Sequence, residues 1–176
     1  MELNKSSRHS KITGDFAEHL ILYWLSKYGF ECARVDHTGI DIIAKSPHTH
    51  ELMGISVKGR SRNLGKEGEH MAIRNDHFEK VEAACTAFGC VPYFAIVIDE
   101  ETKIYAFILS MAELLQMFPR GSRVSAWKMT AQHLARYRQN PNIVMFEFSH
   151  SIHQWFAGTA PSRGLQPAEF DEDEIE

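Results

Sequence analysis

Three ionisable residues stand in this sequence where apolar ones belong: Glu18, Asp41 and Lys58. Asp41 interrupts Ile40-Asp41-Ile42-Ile43-Ala44, a run apolar enough to be buried on both faces, and an unpaired buried carboxylate costs several kcal/mol. Lys58 closes Ile55-Ser56-Val57-Lys58, where a period of two puts Ser56 and Lys58 on one face and Ile55 and Val57 on the other. Glu18 falls between Leu22 and Leu25 in angular position on a helical surface that otherwise faces a core. Two carboxylates and a lysine converging in a partly desolvated cleft suit an oxygen-ligated divalent cation such as Mg²⁺, with the ammonium near a water of its shell. The chemistry this favours is hydrolysis of a phosphate ester. Two structural alternatives stay open on these residues alone: an ion pair between Lys58 and Asp41, and a half-exposed helix-edge carboxylate at Glu18.

The elements that must position these side chains can be read on either side of them. From Thr13 as N-cap to Tyr28 the spacing predicts a helix, with Phe16, Leu20, Tyr23 and Trp24 as its buried strip, Ile21, Leu22 and Leu25 widening it, and Gly29 as a stop. Three strands follow, Phe30 to Val35, Ile40 to Ala44 and Leu52 to Lys58, joined by the turns Asp36-His37-Thr38-Gly39 and Ser46-Pro47-His48-Thr49-His50. As hairpin neighbours, the second and third strands bring Asp41 towards Lys58, with the helix carrying Glu18 over them. Asn75 or Asp76 caps a helix to Phe88 that stops at Gly89, and Pro92 to Ile98 is a buried strand reached by a right-handed crossover, hence parallel to its neighbour. Beyond lie a strand at Lys103 to Leu109, a capping box from Ser110 to Glu113 opening a helix to Phe118, a strand at Arg123 to Met129, a helix at Thr130 to Arg138 and a strand at Ile143 to Phe148. The fold class is α/β, an αβββαβ core with additions, in which a mixed sheet of four to five strands is flanked by helices.

In order along the chain, Gly14-x-x-x-Glu18, Tyr28-Gly29-Phe30, Gly39-x-Asp41-Ile42-Ile43-Ala44 and Ser56-x-Lys58 resemble the PD-(D/E)xK nuclease superfamily, with its restriction-endonuclease-like fold. The likeness is greatest to archaeal Holliday-junction resolvases and Mrr-type endonucleases, and it covers residues 13 to 62. It implies an Mg²⁺-dependent deoxyribonuclease, with Mn²⁺ as a substitute, in which Asp41 ligates the metal and Lys58 orients or activates the attacking water. It also implies Glu18 as a helix carboxylate serving a metal or its water shell, the main-chain carbonyl of Val57 as a further ligand, DNA as partner, and a homodimer, since cutting two strands needs two sites. One departure stands out. The superfamily's second acidic position falls on Ser56, and a hydroxyl is a much poorer magnesium ligand than a carboxylate. Of the nearby acids Glu18, Asp36 and Glu51, the last has the wrong strand parity, which leaves Glu18 as the better compensation. A catalytically degraded nuclease fold that binds nucleic acid or a protein without cutting is therefore the alternative, and a purely structural or interaction protein a third reading.

Lys58, Arg60, Arg62 and Lys66 come within nine residues with no acid among them, interleaved with Gly59, Ser61, Asn63 and Gly65. Such a segment suits phosphate contacts, although a solvated basic loop accounts for it equally well. Lys5, Arg8 and Lys11 could add to it. The formal charge of -4, from 19 Lys and Arg against 23 Asp and Glu, argues against a polyanion partner only at first sight, because five of the acids lie between Asp171 and Glu176. Residues 1–12 read as a flexible basic N-terminus, 13–157 as one nuclease-like domain and 158–176 as a disordered tail, acidic from residue 171. Three cysteines without a CxxC spacing, no apolar leader and no membrane-length apolar run point to a soluble cytoplasmic protein. The pairs His48/His50 and His150/His153 lack a third ligand at sensible spacing. Trp127, Tyr137 and Trp155 suit either base stacking or core packing.

Overall fold

In chain order the elements are α1 (His9–Lys27), β1 (Glu31–His37), β2 (Ile40–Lys45), β3 (Leu52–Arg62), β4 (His70–Arg74), α2 (Asn75–Phe88), β5 (Val91–Glu100), β6 (Lys103–Ser110), α3 (Met111–Met117), β7 (Val124–Lys128), α4 (Ala131–Gln139) and β8 (Val144–Ser149). They come from a computed structural model that describes residues 5–62, 69–100 and 102–151. Lys66, His153, Trp155 and the tail from residue 158 lie outside the described residues. Six strands form one mixed sheet in the order β1-β2-β3-β5-β6-β8. Only β3 and β5 run parallel, joined through α2, and every other neighbouring pair is antiparallel. No helix among the described residues is long and apolar enough to cross a membrane.

Period-two alternation on β5 divides the interior. Phe94, Ile96 and Ile98 pack with α2, α3 and Tyr137 of α4 on one face, while Ala95 and Val97 pack with α1 on the other. The same alternation puts Ile55 and Val57 of β3 on the α1 face. Ser56 and Lys58 consequently face α2.

Several expectations are corrected. Helix α1 starts a turn earlier than expected, and the Thr13 hydroxyl donates to the His9 carbonyl at 2.8 Å rather than capping. Its buried line is Ala17, Ile21 and Leu25, whereas Phe16 and Tyr23 are 42% and 58% exposed. The reason lies at Gly59. A Cβ there would come 2.8 Å from the Ala17 Cβ and 2.9 Å from the Thr13 carbonyl oxygen, so the helix meets β3 through its smallest side chains; Phe16 and Tyr23 are turned away, while Leu20 and Trp24 stay half-buried and Trp24 stacks on Phe146.

The stretch before α2 holds an additional strand, β4, which pairs with β7 in a separate two-stranded sheet and buries Met71 and Ile73. Neither Asn75 nor Asp76 caps α2. Arg74 occupies the cap position without a side-chain bond, and Asp76 instead takes Arg74 and Lys80, each at 2.9 Å. At α3 the Ser110 hydroxyl accepts from the Glu113 amide at 3.1 Å, but the Glu113 carboxylate turns to Asn140 and Asn142. Trp127 and Tyr137 are fully buried and stacked on each other, which removes both from any base-stacking role.

Candidate functional site

The ladder between β2 and β3 is regular from Lys45↔Leu52 to Ile42↔Ile55 and then lapses. One step further, Asp41 would pair with Ser56, and two steps further Ile40 with Val57. At that point the side-chain alternation of β2 also breaks: Ile42 and Ala44 pack on the α1 face, but Ile40 packs on the α2 face. Left without a strand partner on this side, the Val57 amide donates to Asp41 Oδ2 at 2.6 Å. The carboxylate thus substitutes for the missing backbone acceptor, as a buried N–H requires. Since the N–H and C=O of one strand residue point the same way, the Val57 carbonyl faces the same gap.

One short hydrogen bond and one longer contact join the remaining groups. Lys58 Nζ donates to Ser56 Oγ at 2.8 Å, and Ser56 Oγ lies 3.5 Å from Asp41 Oδ2. Ser56 therefore bridges the lysine to the carboxylate. Burial pushes the Lys58 ammonium below the ordinary lysine range; Asp41 and then Glu18 pull it back up, and Lys80 adds to the depression.

These three residues line a cavity of about 130 Å³ together with Gly39, His77 and Lys80. Gly39 explains why α2 forms its opposite wall. With φ +110° it lets the turn between β1 and β2 pass so close to α2 that a Cβ would lie 2.3 Å from the Lys80 carbonyl oxygen.

Glu18 is not among the lining residues. It rides on α1, which covers the other face of the sheet, and its carboxylate is held by Arg34 of β1 at 2.6 Å. It acts on Lys58 only through its charge. Glu51 supplies no compensating acid either, because it accepts the Tyr93 hydroxyl at 2.8 Å beside a separate apolar groove lined by Trp24, Tyr28 and Phe146.

The basic segment is also redistributed. β3 continues through Arg62, so Arg60 donates to the His70 carbonyl at 2.9 Å and Arg62 turns inward to pair with Glu100 at 2.8 Å. Only 7% of the Arg62 side chain is exposed, which overturns its expected place on a nucleic-acid surface. Burying a guanidinium beside a carboxylate on the neighbouring strand serves the sheet rather than a phosphate backbone.

Two lining residues and one partner escaped the sequence reading. His77 and Lys80, three apart on the first turns of α2, share a helix face, but nothing in the sequence showed which face meets the sheet. Arg34 is one of the polar residues that alternate poorly along β1, and its target on α1 is visible only in three dimensions.

Among the described residues no three His, Cys, Asp or Glu side chains gather as a metal-binding group. The donors fit a more modest arrangement. Asp41 Oδ1 takes no hydrogen bond among the described residues, and Mg²⁺ commonly keeps several waters while using one or two carboxylates plus substrate phosphate oxygens.

No protein-family model matches the chain, and no curated protein matches it. Among solved structures, the Holliday junction resolvase Hjc of the archaeal hyperthermophile Archaeoglobus fulgidus aligns over 65% of this chain and 83% of its own, with a TM-score of 0.49 and 22% sequence identity.

Proposed function

We propose that the protein is a metal-dependent endonuclease that hydrolyses phosphodiester bonds in DNA at the Asp41-Ser56-Lys58 site. The observation that carries this reading is the lapse of the β2–β3 ladder, which gathers a carboxylate, a hydroxyl and a desolvated lysine around one small polar cavity. Held by Asp41 Oδ1, with the Val57 carbonyl beside it, Mg²⁺ or Mn²⁺ would supply Lewis-acid charge to the phosphate and lower the pKa of a water.

The protein's own groups do the rest. The Val57 amide fixes the Asp41 carboxylate, so the charge is in place before substrate arrives. Lys58, anchored on Ser56, orients the attacking water and neutralises charge that develops on the phosphate. Its lowered proton affinity makes transfer of a proton at Nζ less costly than for an exposed lysine. Glu18 on α1, held by Arg34, adds negative potential at Lys58.

The test uses plasmid, linear duplex, four-way junction and single-stranded DNA and RNA in Mg²⁺ or Mn²⁺. Cleavage of DNA that falls by at least about a hundredfold in both Asp41→Ala and Lys58→Ala is the expected outcome. Salt-sensitive binding without cleavage would instead define a binding protein, and neither binding nor cleavage would remove both readings. Double-strand cleavage further calls for two copies of the site, so the oligomeric state of the DNA complex should be an even number.

A further inference from the structure

Opposite Asp41 the cavity has a wall that the hydrolytic reading does not use. His77 and Lys80 line it from α2, and Gly39 locks that helix against the turn leading to Asp41. The His77 ring forms no hydrogen bond among the described residues, and its Nδ1 is buried without a partner. A buried N–H lacking an acceptor is rarer and costlier than a bare lone pair, which puts the ring proton on Nε2. Burial and the neighbouring Lys58 charge lower the imidazole's affinity for a second proton, in keeping with a neutral ring. The cavity therefore presents one carboxylate against the Lys58 ammonium, a hydroxyl and an unspent imidazole donor, with the Lys80 ammonium held by Asp76 at 2.9 Å.

We propose that His77 is a neutral hydrogen-bond donor for a phosphodiester, giving its Nε2–H to a nonbridging oxygen while Lys80 supplies charge beside it. The ligand class rests on the reading above, but the contact is one of binding and needs no cleavage. A neutral donor and a cation differ in a measurable way. Removing a lysine that contacts phosphate lowers the slope of log affinity against log salt by about 0.9, and removing a neutral donor leaves that slope unchanged.

The experiment measures binding of the full chain to duplex and four-way-junction DNA in Ca²⁺ by fluorescence anisotropy across a salt series. His77→Ala should weaken binding about tenfold or more at every salt concentration without altering the slope. His77→Gln, whose amide reaches roughly where Nε2 lies, should stay within about threefold of the parent. Lys80→Ala should lose both affinity and slope. In parallel, ¹⁵N spectra of the histidine rings, with His77 identified by its loss in His77→Gln, should show the Nε2–H form and a shift on adding DNA.

Parent-like binding by His77→Ala, an altered salt slope, a His77→Gln variant as weak as His77→Ala, or no DNA-induced shift would each overturn the proposal. So would a parent chain that binds no DNA. Cleavage assays in Mg²⁺ keep the two ideas apart. The expected binding pattern without cleavage sinks the nuclease reading and upholds the donor, whereas cleavage with unchanged His77→Ala binding sinks the donor alone.

Discussion

Replacing Gly39 with alanine would place a methyl group 2.3 Å from the Lys80 carbonyl oxygen, 2.6 Å from its carbon and 3.1 Å from the Val81 nitrogen. All three are backbone atoms in the middle of a helix, so no side chain can swing aside. Two costs combine. A non-glycine residue at φ +110° carries about 1–3 kcal/mol of backbone strain, and forcing a methyl into packed structure about as much again. A loss of about 4 kcal/mol follows, a large share of the ~5–15 kcal/mol that holds a typical domain together. For a chain of this length it corresponds to a fall in Tm of roughly 8–16 °C. Urea and thermal unfolding of the full chain measure it. Gly14→Ala is the control: beyond its chain neighbours and its own helix backbone no heavy atom lies within 4 Å of its Cβ position, and as an interior helix glycine it should gain ~0.5–1 kcal/mol. Should Gly39→Ala unfold with the parent, the close packing of the turn on α2, and with it the geometry given for the cavity, would be wrong.

Three further outcomes are expected. Arg62→Ala strands the Glu100 carboxylate, so it should cost about 3 kcal/mol in urea unfolding, and Glu100→Gln in the same chain should recover part of that loss. Burial, followed by the bond to Glu51, pushes the Tyr93 phenol up to about 12. The folded state then holds this proton longer than the unfolded chain, so its contribution to stability is intact below the ordinary phenol value near 10 and is lost as pH climbs through about 12. An absorbance titration of tyrosinate should show one late-ionising phenol fewer in Tyr93→Phe. Finally, deleting residues 171–176 should tighten DNA binding at low salt, with the gain shrinking as salt rises; unchanged affinity would rule out competition by that acidic stretch.

How much of the site could be read from sequence is clearest in β3. Its alternation correctly separated Ser56 and Lys58 from Ile55 and Val57, because a strand's period is fixed by the pleat. The hairpin with β2 was equally legible from the turn between the strands. What could not be read was which helix covers which face. The helical spacing of Phe16, Leu20, Tyr23 and Trp24 suggested that this strip is the buried one, but Gly59 selects the helix surface that can come closest, and that choice put Glu18 across the sheet from Lys58. The basic run misled for a related reason: charge and glycine content resemble a loop, whereas β5 offers a ten-residue parallel partner that keeps Arg60 and Arg62 in the strand. β4 was hidden because only Met71 and Ile73 mark its inward face, and its partner β7 lies some fifty residues further along the chain.

The bond from Val57 to Asp41 also gives the site its own clock. Where β3 is paired with β2 or β5 its amides exchange with solvent only when that strand comes away, but the Val57 amide is guarded by a side chain. Its exchange rate therefore follows the departure of one carboxylate and not the opening of the sheet. In a deuterium-exchange experiment, Asp41→Ala would speed this amide while its strand neighbours keep their pace. The same proton, watched during titration with Mg²⁺ and DNA, would tell when the carboxylate is drawn away to other work.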